Sequence, residues 1–213
     1  MPSASAQATW KRAAPRLASG RDLPEPWTDD RAAGCGIRQT TSLDALPLAR
    51  LYTAATPAPV ARLEAIRLAD WERQGTHWRV PRSSLTPILR FADVDGFVQA
   101  SSGGGKDGTQ LDGFLQIGVA KEDQPHYLKV LARPDADPTA LIGYGLGIIE
   151  ARTTKGGEHR HDHGVIAPVR TYEGPVDRRL EDAAFGTIAS VNLLMKETLV
   201  RVAEPALVPA GVR

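Results

Sequence analysis

Between residues 77 and 173 the chain breaks into short apolar runs parted by tight turn signals, and this pattern limits the fold more than any other feature. Residues 88–100, 111–119, 127–131, 141–153 and 165–172 are rich in β-branched and aromatic side chains and read as strands. The breaks between them include Ser101-Ser102-Gly103-Gly104-Gly105, Gln124-Pro125, Pro134-Asp135 and Lys155-Gly156-Gly157. No helical period interrupts these runs, so nothing would carry the chain over between parallel neighbours. The expectation is an antiparallel sheet of about five to seven strands.

The flanks have a different period. Residues 37–41 suit a first short strand, and Ser42 suits the N-cap of a short helix reaching residue 52. Val60, Leu63, Ile66 and Trp71 recur at helical spacing, which predicts a second helix over 59–74. After Pro175, Leu180, Ala184, Ile188, Val191, Met195 and Val202 fall close to one helical face. That predicts a long amphipathic C-terminal helix over 176–203, stopped by Pro205 and packed on the sheet. The fold class read from the sequence is therefore α+β. Residues 1–33, with four prolines and little apolar period, read as an extended N-terminal arm. Residues 34–205 read as a single α+β domain and 206–213 as a C-terminal tail.

Composition excludes several classes. With 42% hydrophobic and 24% charged residues, the chain can bury a core. No run approaches the roughly 18 apolar residues of a membrane-spanning helix, so no membrane association is expected. Cys35 is the only cysteine, so no internal disulfide forms. The net charge is +1, which argues against a broadly basic nucleic-acid surface. The N-terminus has no apolar signal-peptide region, so a cytoplasmic place or one within an assembled particle is expected.

The densest polar cluster is Glu158-His159-Arg160-His161-Asp162-His163. On a strand, His159, His161 and His163 share one face, about 6.6 Å between neighbours. Two of them could converge on a divalent transition metal, with His77, His126 or a carboxylate completing the set. The flanking Gly156-Gly157 and Gly164 equally suit a solvated hairpin tip, and no cofactor is the default expectation. Gly103-Gly104-Gly105-Lys106-Asp107 lacks the upstream glycine and following hydroxyl of a phosphate loop. Gly143-Tyr144-Gly145-Leu146-Gly147 has Ile148 where a dinucleotide fingerprint needs its third glycine, and suits a bend in a strand.

With no complete catalytic set, the features favour a non-catalytic structural subunit of a larger multi-protein particle, a virion for example. It would work through a homo- or hetero-oligomeric assembly. Trp10, Lys11, Arg12 and Arg16 of the arm, and Gly104 and Lys106 of the glycine-rich loop, would meet the partner. One alternative is a metal-dependent enzyme or small-ligand-binding protein using His159, His161 and His163. The other is a nucleic-acid-associated component using the basic arm.

Overall fold

The structure is a computed structural model. It describes residues 5–13, 29–73, 91–101, 110–121, 124–154 and 164–194. Seven strands form one sheet: β1 (Ser5–Ala13), β2 (Ile37–Gln39), β3 (Phe91–Ala100), β4 (Leu111–Ala120), β5 (His126–Ala132), β6 (Val165–Arg170) and β7 (Gly186–Leu194). Their spatial order is β2-β3-β4-β5-β6-β1-β7.

Side chains alternate across the pleat, so each apolar strand feeds two cores. Phe97, Leu115, Ile117, Leu128 and Val130 lie in one core with residues of α1 (Asp29–Gly34), α5 (Thr139–Thr154) and α6 (Gly174–Asp182). Val98, Phe114 and Leu131 lie in the other with α2 (Ala45–Ala55) and Trp71 of α4 (Leu68–Glu72). A short 3-10 turn at Ser42–Asp44 precedes α2, and α3 (Ala58–Glu64) lies between α2 and α4. The result is a mixed α+β fold with helices on both sheet faces. No helix among the described residues is long and apolar enough to cross a membrane.

Strands expected at 37–41, 88–100, 111–119, 127–131 and 165–172 are present as β2 to β6. Five expectations need correction. The sheet is mixed rather than purely antiparallel, because β5 and β6 run parallel. Residues 141–153 belong to helix α5, which makes that parallel connection. Glycines 143, 145 and 147 alternate with Tyr144, Leu146 and Ile148 and so imitate a strand. In the helix, Gly145 lies against the sheet, where a Cβ would stand 2.6 Å from Leu128 Cδ1.

The long C-terminal helix is also absent. After α6, Ala184 takes a left-handed conformation (φ 60°), and the chain leaves as β7. Phe185, 3% exposed, anchors that turn in the core. Finally, the arm contains a strand of the sheet. β1 lies between β6 and β7 and pairs antiparallel with both, Ala8 facing Arg170 on one side and Val191 on the other. The single helix expected over 59–74 is two, since Ala65 ends α3 in the left-handed region (φ 47°).

Candidate functional site

The chemistry of the sheet is concentrated where its two parallel strands separate. β5 and β6 pair only through His126–Val165 and Tyr127–Ile166. Beyond that point β5 continues along β4 to Ala132, and β6 continues along β1 to Arg170. The pair therefore opens into a wedge toward the C-terminal ends of both strands. Backbone groups that would face each other in a continuous sheet lose their ladder partners there, and such groups need others.

Lys129 reaches across this gap. Its ammonium donates to both oxygens of Glu173, at 2.8 Å each, and approaches the Pro168 carbonyl at 3.5 Å. Both side chains of the pair are buried. Glu173 ends the turn after β6, and one of its oxygens also accepts from the Arg170 backbone N–H at 2.9 Å. The Arg170 guanidinium in turn donates to the Tyr172 hydroxyl at 3.0 Å and to Glu64 of α3. The second Glu64 oxygen accepts from the Tyr52 hydroxyl of α2. One continuous network thus joins the open strands to the helices on that face. It contains two cations and two carboxylates, so its charges balance within the protein. Unpaired, any one of these ions would cost several kcal/mol at such depth.

The tyrosines stay protonated at neutral pH. Burial, opposed by Arg170 and reinforced by Glu173 and Glu64, pushes Tyr172 up to about 12. Burial first and Glu64 second raise Tyr52 further, and burial with the Glu173 charge does the same for Tyr127. All three can therefore donate hydrogen bonds.

Three buried polar side chains outside this network have no hydrogen-bond partner among the described residues. Gln116 stands opposite Lys129 on β4, and Tyr127 lies two residues before Lys129 on β5. They are 7% and 4% exposed, and neither side chain makes a hydrogen bond among the described residues. Thr56, where α2 ends, has a buried hydroxyl oxygen with no hydrogen-bond partner among those residues. Leaving a buried donor or acceptor unpaired costs about 1–3 kcal/mol.

Of the candidate residues read from the sequence, Trp10, Lys11, Arg12 and His126 are described, and His77 lies outside the described residues. Trp10, Lys11 and Arg12 lie on β1. Trp10 is half-buried opposite Pro168 and Ala189, and Arg12 is exposed. Lys11 is buried, with its ammonium 2.6 Å from Asp177 and 2.8 Å from Glu181 of α6. Arg16, Gly104, Lys106, His159, His161 and His163 lie outside the described residues. Among the described residues no group of His, Cys, Asp and Glu is arranged to hold a metal ion. His126 is buried and accepts from the Ala120 backbone N–H at 3.1 Å. The sequence reading missed Lys129 and Glu173. A signal was present: Lys129 interrupts an otherwise apolar strand, and a charge in a fully buried strand demands a partner.

No family model matches the chain, and no curated protein matches it. Solved structures do. One, from Novosphingobium aromaticivorans, is a GNAT-family protein described as a candidate acetyltransferase. It is 14% identical with a TM-score of 0.46, over 89% of this chain and 63% of that one. Another, a conserved protein of unknown function from Staphylococcus epidermidis, is 12% identical with a TM-score of 0.38, over 88% and 60%. This chain spans less than two thirds of either solved chain.

The expectation of a non-catalytic structural subunit is corrected on one finding. The arm on which it rested contributes an internal strand of the sheet, β1, with neighbours on both edges.

Proposed function

We propose that the chain is an acyltransferase that lays an extended, amide-bearing acyl donor into the wedge between β5 and β6. The observation that carries this reading is the parting of the two parallel strands after Tyr127 and Ile166. A strand edge without a neighbour offers alternating N–H and C=O groups, and an extended ligand with spaced amides can pair with them as an added strand would. The wedge also opens at the carboxyl ends of parallel strands joined through a helix, where ligands of α/β sheets commonly bind. Acetyl transfer is the activity for which the Novosphingobium protein is described, and it enters here as part of the proposal. In such a transfer a thioester acyl group passes to an amine or hydroxyl, and the acceptor's proton leaves with the released thiol.

The test is calorimetric titration with acetyl-coenzyme A, followed by assay of free thiol with a panel of amines. Saturable binding in the roughly 1 μM to 1 mM range usual for enzyme substrates, with amine-dependent thiol release, is the expected result. Absence of binding across that range would overturn the reading.

A further inference from the structure

On the face that carries Lys129 and Glu173, strands β4 and β5 hold polar atoms that the fold itself does not use. Gln116 and Tyr127 are cross-strand diagonal neighbours, because Gln116 pairs with Lys129 and Gly118 pairs with Tyr127. Side chains in that relation are within reach of one another when one is aromatic or long. Both residues are more than nine-tenths buried, yet neither side chain has a hydrogen bond among the described residues. Both side chains project from the same face of the sheet, side by side. The surface beside them is apolar: the Phe91 ring lies 5.8 Å from the Tyr127 ring and covers Gly118 so closely that a Cβ there would be 2.8 Å away.

We infer that Gln116 and Tyr127 form a binding subsite for an uncharged amide group. The inference deepens the acyl-transfer reading by naming the group that these two side chains accept from a substrate. Gln116 offers one acceptor and two donors on a planar head, and Tyr127 adds a protonated hydroxyl. A ligand amide complements that set, giving its N–H to Gln116 Oε1 and receiving at its carbonyl oxygen, with the Phe91 ring as a flat wall. A charged group finds no counter-ion beside them among the described residues. The nearby Lys129 ammonium is held by Glu173, and both Glu173 oxygens are already bonded. Thus a carboxylate would meet a neutralised cation, and an ammonium a neutralised anion.

The experiment is saturation-transfer NMR on the full chain with N-methylacetamide, acetate and methylammonium at equal concentration. Transfer to N-methylacetamide alone is expected, weakened about fivefold or more in Gln116→Leu and in Tyr127→Phe. Tyr127→Phe removes a single oxygen from a buried ring and keeps the inference testable if Gln116→Leu does not fold. Thr53→Ala, on the exposed side of α2, should behave as the parent. Equal transfer to the three probes, no transfer to any, or an undiminished signal in a folded variant would overturn the subsite. Acetyl-coenzyme A binding is measured on the same samples. Amide selectivity without coenzyme binding removes the acyl-transfer reading and leaves the subsite. Coenzyme binding without amide selectivity does the reverse.

Discussion

Glu64 serves two buried groups at once, the Arg170 guanidinium with one oxygen and the Tyr52 hydroxyl with the other. Its side chain is 7% exposed and that of Arg170 is 4% exposed. Removing one partner of such a pair strands the other charge. Glu64→Leu should therefore cost about 3–5 kcal/mol in urea unfolding. The double replacement Glu64→Leu with Arg170→Met should recover most of that loss, because neither charge is then stranded. If the double variant were no better than the single one, the network's value would lie elsewhere. Asp44 presents a pH-dependent case. Burial would raise its pKa, but two bonds from Arg38, at 2.8 and 2.6 Å, and the bonds from Thr41 lower it. Its stabilisation is thus complete above the ordinary carboxylate value near 3.8 and is lost as pH falls through the lower folded value. Asp44→Asn should cost about 1–3 kcal/mol at pH 7. That cost should shrink once acid titrates Asp44 in the parent, which urea unfolding at a series of pH values would follow. A cost unchanged at low pH would show that shape rather than charge matters there.

The elements legible in the sequence were those whose local pattern and tertiary role agree. β4 and β5 are apolar on both faces because helices cover both, and turn residues bound them. The two failures had a common cause. In α5, glycines at every second position read as strand alternation, whereas in the helix Gly145 lies against the sheet. In α6 and β7, apolar residues on a helical period crossed a boundary that periodicity could not see. That boundary is Ala184, whose left-handed backbone is unfavourable for any residue with a Cβ, by about 1–2 kcal/mol. Ala184→Gly should accordingly stabilise the fold by up to about 1 kcal/mol, raising the thermal midpoint by a few degrees. A lowered midpoint would mean that the exposed methyl group makes contacts that outweigh the backbone strain.

On the scale of the whole molecule, the sheet depends on its first strand. β1 joins β6 to β7, and without it β7 has no neighbour among the described residues. Amide exchange should reveal this. The amides of residues 8–13 should be protected together with those of β6, and replacing Ala8 with Pro should cost the protection of both strands. Rapid exchange at β1 in the intact protein would contradict the placement. None of this could be read locally. Residues 5–13 carry no strong strand signal, and their partners lie about 160 residues away along the chain. The wedge was hidden for the same reason, since its two sides are brought together by the α5 crossover.

This arrangement also has a consequence during synthesis. Residues 5–13 leave the ribosome before β6 and β7, the two strands that flank them. Until those strands emerge, that segment is a strand with two unmet edges, available to other nascent chains. The cell must keep that segment apart from its neighbours until both flanking strands have been made.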